Sequence, residues 1–378
     1  MTGTRARRLA LVAALLAVLA ALAVPGWRRV QAARLLLASL DAKVAPNAFA
    51  LDLERVTATP ETIALREGGA LRSLRYSRDP AVIAPGLILL HGVHPLGIEE
   101  PRLQRLARAF AASGLEVHTP ELPQLLSLDV DPHVVQQIAS CADALRAQRN
   151  GRKLGAFGVS FTGGLLLMAA ASPAGARSLA FVVAVGAHHD LRRVARHFAG
   201  ETAHGPSGER AAAASDPYGA RVLVAAYAPA FFAPPDVPVA REALRAYLGE
   251  RYAEARKAAA RLSPAGAARY AAVVEPGGRG LAPLLRQLAQ GQAGSLAALS
   301  PAGHLRELRV PALLLHGLSD PIVPSTESAW LAREVPQAQL ERVLITPALR
   351  HAEAGGAPSL GDQLALVEFV AAILADRR

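Results

Sequence analysis

The chain has 378 residues, of which 52% are hydrophobic and 19% charged, a composition that excludes a disordered chain and suits one large α/β domain with an insertion, or about two domains. Its single cysteine, Cys141, excludes an intrachain disulfide framework and a CxxC zinc site. The net charge of +10 does not predict a nucleic-acid partner, because the basic residues, nearly all arginine, are scattered and form no run interleaved with aromatic side chains.

The N-terminal 27 residues carry the pattern of a membrane-targeting segment. Arg5, Arg7 and Arg8 precede Leu9–Trp27, a stretch of 19 residues without an ionisable side chain. About 20 helical residues cross a hydrocarbon core of ~30 Å, so residues 1–27 are just long enough for a signal anchor. The Ala-Leu-Ala end at Ala21–Ala23 also fits a cleaved signal peptide. The positive-inside rule then places the rest of the chain on the non-cytoplasmic side of the membrane, or exports it if the segment is cleaved.

The region that follows is predicted to be a helical connector over residues 28–59, with a short amphipathic helix at Gln31–Leu40. Beyond it, Thr62–Leu65 and Ala70–Tyr76 predict a β-hairpin around a Gly-Gly turn. Further strands are predicted at Gly86–Leu90, Leu115–Thr119, Leu154–Val159, Leu179–Val185, Ala312–Leu315 and Leu340–Leu344. Helices are predicted at Pro101–Ser113, His133–Gln148, Phe161–Ala171, Thr326–Glu334 and Gly361–Ala375. This alternation indicates a mostly parallel sheet with helices on both faces.

The alternation is interrupted between residues 191 and 305. This stretch holds Ala-rich helical segments (Arg241–Leu248 and Glu250–Leu262), loops rich in Pro and Gly, and no clear strand. A structureless loop of that length is implausible in a compact domain. We therefore expect a helical cap, inserted after the sixth strand between two parts of one core, residues 60–190 and 306–378.

A serine lies at the turn between the strand Leu154–Val159 and the helix that follows it. A serine hydroxyl becomes a nucleophile when a sharp strand-to-helix turn presents it beside a base, with backbone amides ready for the oxyanion. Gly158 and Ser160 stand where such a turn requires them, whereas Thr162 occupies the position of the second glycine and Gly163 follows one residue later. Ser160 is therefore the candidate nucleophile, although a small residue at an ordinary turn gives the same local pattern.

Two further residues complete the order Ser, Asp, His. Asp320 follows an apolar strand that ends at His316-Gly317, where a carboxylate can orient an imidazole or simply cap a turn before Pro321. His351 comes 31 residues later, in a loop after the next strand, where a lone histidine could also be a solvated surface residue.

From about residue 60 onward these motifs resemble the α/β-hydrolase superfamily. The sequence Leu-Leu-His91-Gly92-Val93-His94 is similar to the His-Gly oxyanion loop that follows the third strand of that family. The resemblance implies that Ser160 is the nucleophile, His351 the general base and acid, and Asp320 the orienting carboxylate. It also implies an oxyanion hole made by the backbone N–H groups of Phe161 and Val93. Thr162 departs from the family pattern, which leaves two alternatives: Gly163 substitutes in the close packing, or the turn is looser.

Other polar residues are candidates for lining the same site. They are His91, Gly92, His94, Gly158, His188 and His189. His188-His189-Asp190, at the end of the sixth strand, raise the alternatives of a metal site and of Asp190 as the triad acid. Adjacent residues of a strand point to opposite faces and no HExxH motif is present, so we predict no metal and expect the two histidines to lie at the mouth beneath the cap. No Walker loop or Rossmann fingerprint occurs, and no cofactor is predicted.

The sequence thus predicts a serine hydrolase that cleaves an ester or thioester through an acyl-enzyme. The Ala-, Pro- and Leu-rich cap suggests a small, apolar acyl substrate. Two alternatives stay open: an acyltransferase that uses the same triad, and a hydrolase-like scaffold that binds a partner without catalysis.

Overall fold

A computed structural model describes residues 26–39, 50–213, 215–350, 353–354 and 358–375. The strands are β1 (Thr57–Ala64), β2 (Ala70–Ser77), β3 (Gly86–Leu90), β4 (Glu116–Pro120), β5 (Leu154–Val159), β6 (Leu179–Val185), β7 (Ala312–Gly317), β8 (Leu340–Thr346), β9 (Leu349–Arg350) and β10 (Glu353–Ala354). The helices before the cap are α1 (residues 26–39), α2 (Pro101–Ala112), α3 (Pro123–Ser127), α4 (His133–Gln148), α5 (Phe161–Ala171) and α6 (Pro173–Ser178). The cap contributes α7 (Leu191–Phe198), α8 (Pro217–Ala226), α9 (Val237–Leu248), α10 (Tyr252–Ala259), α11 (Pro264–Val274), α12 (Leu281–Gly291) and α13 (Ala293–Ala298). The last two helices are α14 (Thr326–Glu334) and α15 (Leu360–Ile373).

Eight strands form one sheet in the order β1-β2-β4-β3-β5-β6-β7-β8. Strand β2 is antiparallel to both of its neighbours, whereas β3 to β8 are parallel to one another. The uninterrupted apolar runs form the central strands, as expected of strands covered on both faces. The predicted fold class is confirmed: a mostly parallel sheet, flanked by helices, with a helical insertion after the sixth strand.

Helices cover the two faces of the sheet and create two apolar cores. Alternate residues of β7 divide between them, since Ala312 and Leu314 enter the core beneath α4, α5 and the cap, and Leu313 and Leu315 enter the core beneath α1, α2 and α15. The carboxyl ends of the parallel strands meet at one edge of the sheet, and the loops after β3, β5 and β7 therefore lie at that edge.

The N-terminal helix packs on the body of the protein. Helix α1 begins five residues before the predicted helix and buries Ala32 and Leu35 in the second core, while Arg29 forms an ion pair with Glu368 of α15. Residues 9–25 of the predicted membrane segment lie outside the described residues. In the part of the chain that the structure does describe, no helix has both the length and the apolar character needed to cross a bilayer.

Strand β1 begins at Thr57, earlier than predicted, and runs through Pro60. The sequence analysis predicted this strand only from Thr62, and assigned residues 28–59 to a helical connector. Strand β1 is at the edge of the sheet, where one side of the backbone needs no partner, and proline is tolerated there.

A buried acid–base cluster lies between β1 and β4. The ring of His118 bonds to Glu61 through Nδ1 (2.8 Å) and to Glu116 through Nε2 (3.3 Å), and Glu116 also pairs with Arg149. Burial by itself lowers the pKa of His118, but the two carboxylates outweigh it and raise that pKa above its ordinary value. The same hydrogen bond from His118 lowers the pKa of Glu116.

We expect His118→Gln to reduce the free energy of unfolding by about 1–3 kcal/mol near pH 6, because the partly buried Glu61 loses its cationic partner and the buried Glu116 loses one of its own. The folded-state pKa of His118 is raised, so its contribution is fully present below an unfolded-state pKa of about 6.5 and fades as pH rises through the folded-state value. Urea unfolding at about pH 6 and about pH 9 checks this. A penalty equal at both pH values, or one shared by the exposed control His133→Gln, would contradict the assignment.

Candidate active site

Ser160 sits between β5 and α5 in a conformation that few serines adopt. Its φ is 59° and its ψ −131°, a region that costs about 1–3 kcal/mol for a residue with a Cβ. Its N–H donates to the carbonyl of Val185 on β6 (2.7 Å), which holds the turn against the neighbouring strand. Gly158 is required here, because a Cβ at this position would lie 2.8 Å from the carbonyl oxygen of Thr162. This sharp turn carries the serine at the carboxyl edge of the sheet.

Thr162 and Gly163 share the tasks that the family pattern gives to one glycine. The Thr162 hydroxyl donates to the carbonyl of Val159 (2.7 Å) and accepts from the N–H of the same residue (3.2 Å). A Cβ at Gly163 would lie 2.9 Å from the Cβ of Ala187 and 3.1 Å from the carbonyl oxygen of Gly158. Close packing of α5 therefore depends on Gly163, while Thr162 bonds the helix back to β5.

We expect Gly163→Ala to destabilise the protein by about 1–3 kcal/mol and to lower activity, because the added methyl group forces α5 away from the turn that holds Ser160. Thermal unfolding and the rate of ester hydrolysis together measure the effect. Gly291→Ala is the matched control, since nothing lies within 4 Å of the added Cβ at the end of α12. Wild-type stability and activity in Gly163→Ala would show that the packing is looser than described.

Asp320 lies in the loop after β7 with only 2% of its surface exposed. Its Oδ1 accepts from the N–H groups of Ile322 (2.7 Å) and Val323 (3.0 Å), and its Oδ2 lies 3.3 Å from Nε2 of His316. His316 also bonds to Ser328 Oγ through Nδ1 (2.6 Å) and to the Val323 carbonyl through Nε2 (2.9 Å). Asp320 does cap the turn, and the buried His316, which the sequence analysis did not single out, helps to orient its carboxylate.

The predicted base, His351, lies outside the described residues. On either side of it, the backbones of β9 and β10 pair in antiparallel register, with Arg350 opposite Glu353, and β9 contacts β7. The structure therefore describes two members of the predicted triad, Ser160 and Asp320, and the strands on either side of the third.

The loop after β3 is braced from within by His91. Nδ1 of this buried ring bonds to the carbonyl of Gly92 (2.8 Å), and Nε2 accepts from the N–H of Leu122 (2.9 Å). Burial lowers the pKa of His91, which keeps the ring neutral and suits a brace better than a proton carrier. His94 is partly buried, and its Nδ1 accepts from the N–H of Leu96 (3.3 Å). The two predicted oxyanion donors, Val93 and Phe161, follow adjacent strands, and Phe161 is the first residue of α5, whose N–H has no partner within its own helix.

The chain enters and leaves the cap through two short segments that touch each other, residues 188–191 and 299–305, which we call the neck. The N–H of Ala302 donates to the carbonyl of His189 (3.0 Å), and the N–H of Leu191 donates to Ser300 Oγ (2.9 Å). These bonds join the two ends of the insertion directly.

His188 connects the neck to the serine turn. Its Nε2 donates to the carbonyl of Leu299 (2.8 Å), and its ring stacks on Phe161 with 5.2 Å between centroids. The Cε1 edge of the same ring is packed so tightly on Gly164 that a Cβ on this glycine would lie 2.4 Å from Cε1. Burial lowers the pKa of His188 to about 4, so the ring is neutral. The structure places this histidine inside the neck, where it touches the residue that follows Ser160.

Helix α14 fastens both sides of the neck with two glutamates. Oε2 of the fully buried Glu327 accepts from the N–H groups of His189 and Asp190 (2.8 Å each), and its Oε1 pairs with Nε of Arg193 (2.8 Å). Two turns further along the helix, Glu334 accepts from the N–H of Leu305 (3.0 Å) and bonds to Nε2 of His189 (2.6 Å). The His189 ring is thus buried against α14.

The remaining carboxylate of the neck, that of Asp190, caps the N-terminus of α7. Its Oδ1 accepts from the N–H of Arg192 (2.8 Å), and its Oδ2 pairs with the guanidinium groups of Arg192 (3.0 Å) and Arg193 (3.7 Å). Burial opposes ionisation of Asp190, but its bonds to Arg192 outweigh burial and lower the pKa of this carboxyl. These contacts favour Asp320 over Asp190 as the acid of the triad.

Neither a family model nor a curated protein matches this sequence. Among solved structures, the chain is similar to dipeptidyl peptidase 4 of Porphyromonas gingivalis, with 12% identity over 83% of this chain and 35% of that one and a TM-score of 0.47. It is also similar to puromycin hydrolase, with 14% identity over 85% of this chain and 40% of that one and a TM-score of 0.47. A third similar structure is brefeldin A esterase, a bacterial homologue of human hormone-sensitive lipase, with 16% identity over 85% of this chain and 77% of that one and a TM-score of 0.47. The chain thus spans about a third of the length of the peptidase, and at these identities the likeness concerns the fold alone.

Proposed function

We propose that this chain is a serine hydrolase that cleaves an ester or thioester bond. The observation that carries the proposal is the conformation of Ser160, whose positive φ presents its hydroxyl at the carboxyl edge of a parallel sheet. An ordinary strand-to-helix turn has no need of this costly backbone, and such strain concentrates at functional sites. Asp320, buried and oriented at the end of a nearby strand, supports the same reaction.

In the proposed mechanism Ser160 attacks the substrate carbonyl while His351 takes its proton. Asp320 holds the tautomer of His351 and stabilises the imidazolium that forms. The N–H groups of Phe161 and Val93 hold the oxyanion, and loss of one such donor typically costs about 10²–10³ in rate. His351 then protonates the leaving group, and water releases the acyl group from Ser160.

A fluorophosphonate probe, which modifies activated serines, tests this proposal. We expect the wild-type protein to be labelled and Ser160→Ala to remain unlabelled, because no other serine is proposed to have an activating base. Ser319→Ala, on the exposed loop after β7, should label as the wild type does. Failure of the wild type to label would favour the non-catalytic scaffold. Product analysis with added alcohols or amines separates hydrolysis from acyl transfer.

We also propose that residues 1–27 place this hydrolase at a membrane, with the catalytic body on the non-cytoplasmic side. The support is the sequence pattern of three arginines before 19 uncharged residues. We expect the full chain to stay with the membrane fraction after a high-salt wash if the segment is retained as an anchor. A shorter mature chain in the exported fraction would indicate a cleaved signal, and a full-length chain free of membranes would contradict both forms of the proposal.

A further inference from the structure

A narrow crevice separates the cap from the core next to the proposed oxyanion loop. It is lined by residues 93–95 after β3, by Leu125, Leu126 and Leu128 of α3 and its end, and by the cap residues Tyr218, Arg245 and Leu248. We call it the leucine crevice, because leucine is the most frequent residue in its wall: Leu125, Leu126, Leu128 and Leu248. Its free volume is about 10 Å³, so a ligand larger than one water must move α9 away from α3 to enter.

Arg245 is the one strong cation among the residues that line this crevice. It is partly buried, and the nearest carboxylate on its own helix, Glu242, pairs with Arg261 (2.8 Å). The hydrogen bond from Arg261 and the charges of Arg261 and Arg245 together lower the pKa of Glu242, so Arg245 interacts with this carboxylate at a distance but forms no ion pair with it. Two other partly buried arginines of the cap have partners. Arg241, one turn earlier on α9, pairs with Asp129 of the core (2.8 Å), and Arg221 donates to the carbonyl of Glu275 (2.7 Å).

A partly buried guanidinium beside leucine side chains, without an ion-pair partner of its own, can take up an incoming anion. A carboxylate fits best, because the planar guanidinium can donate two parallel hydrogen bonds to its two oxygens. Leucines along the rest of the wall favour an apolar chain over a small inorganic anion. The crevice therefore combines the features that recognise an apolar chain ending in a carboxylate.

The crevice also reaches the proposed site of chemistry. Val93, the proposed oxyanion donor, forms part of its wall, and the hydroxyl of Tyr218 on α8 donates to the Val93 carbonyl (3.4 Å). The Arg241–Asp129 pair fastens α9 to the core; the Asp129 side chain is 68% exposed and that of Arg241 18% exposed, so α9 can move only if this half-buried pair is broken. Movement of α9 would thus open a channel between the oxyanion loop and Arg245.

We propose that Arg245 determines specificity: the protein acts on esters whose apolar acyl chain carries a carboxylate at the end remote from the scissile bond. This inference rests on the proposed hydrolase function and names its substrate class. Arg245 binds the remote carboxylate, the leucines contact the chain, and the scissile carbonyl lies toward Val93.

A matched pair of substrates tests it: the 4-nitrophenyl ester of hexanoic acid and the mono-4-nitrophenyl ester of adipic acid, which differ in the terminal carboxylate. We expect the wild type to prefer the adipate ester, and Arg245→Gln to lower its kcat/KM about ten-fold or more, mainly through KM, while hexanoate hydrolysis is unchanged. Arg245→Lys should retain part of the preference and Arg245→Glu should reverse it. Arg256→Gln, on the exposed side of α10, is the control and should match the wild type.

Protection of Ser160 from the fluorophosphonate probe gives a readout that does not need turnover. Free adipate should slow labelling of the wild type more than hexanoate does, and this difference should disappear in Arg245→Gln. Equal kcat/KM for the two esters in the wild type, equal losses for both in Arg245→Gln, or equal protection by the two acids would overturn the assignment of Arg245. In each of those cases Ser160 still labels, whereas a wild type that never labels refutes the proposed function itself.

Discussion

Replacing Asp320 with asparagine is expected to lower kcat/KM for ester hydrolysis about 10⁴-fold. A loss of this size is typical when the imidazole of a serine–histidine pair is held in the wrong tautomer. The amide oxygen of asparagine can still accept from the N–H groups of Ile322 and Val323, so the loop keeps its turn. Its NH₂ group then takes the place of Oδ2, and it can no longer accept the hydrogen of an imidazole or stabilise an imidazolium. Steady-state kinetics on a neutral aryl ester measure the loss.

Two controls separate this catalytic effect from damage to the fold. The melting temperature of Asp320→Asn should fall only slightly, because the retained amide contacts each contribute about 1 kcal/mol. Ser319→Ala, next to Asp320 but exposed, should keep wild-type kinetics. Activity of Asp320→Asn within ten-fold of the wild type would remove Asp320 from the triad and return attention to Asp190.

The second large effect concerns stability: Glu327→Ala should reduce the free energy of unfolding by about 3–5 kcal/mol, because it leaves a partly buried cation and two buried N–H groups without an acceptor. Those groups are the Arg193 guanidinium and the amides of His189 and Asp190. Glu327→Gln should cost less, since its amide oxygen can still accept from the backbone. Urea unfolding, read as a shift in midpoint at constant slope, measures both variants.

The matched control is Glu307→Ala, at an exposed position between the cap and β7, where we expect a change within about 0.5 kcal/mol. If Glu327→Ala unfolds in two steps, the first should be loss of the cap, because the neck is the structure that Glu327 holds. A penalty no larger than that of the control would mean that the neck does not depend on α14.

The sequence predicts the core of this fold well. Strands β5 and β6 and helices α4, α5 and α14 have the predicted bounds, because each is an apolar or periodic run that ends at glycine, proline or a polar turn. The serine turn was equally visible, since Gly158 and Ser160 are local requirements of its backbone. The sequence could not decide whether Gly163 substitutes for the glycine missing at Thr162. The packing of Gly163 depends on Ala187, which lies in the loop after β6.

The neck could not be predicted in the same way. Helix α14 was located correctly, but its charged residues have the pattern of a solvated helix face. Glu327 is instead fully buried, because its partners come from residues 137 and 138 positions earlier in the chain. Arg245 was missed for a related reason, since an arginine in an Ala-rich helix shows its lack of a partner only when the neighbouring helices are in place.

The neck also bears on how this protein could have acquired its cap. Joining the ends of a loop costs entropy that rises only slowly with the number of residues between them, so a long insertion is tolerated when its two ends are already adjacent. Here the backbone groups at both ends bond to each other and to side chains of one helix that belongs to the core. The segment between Leu191 and Ser300 is therefore arranged as a cassette, and a short linker in its place should leave the parallel sheet able to fold. Exchange of such a cassette would change the residues around the proposed active site and leave unchanged the sheet that carries Ser160 and Asp320.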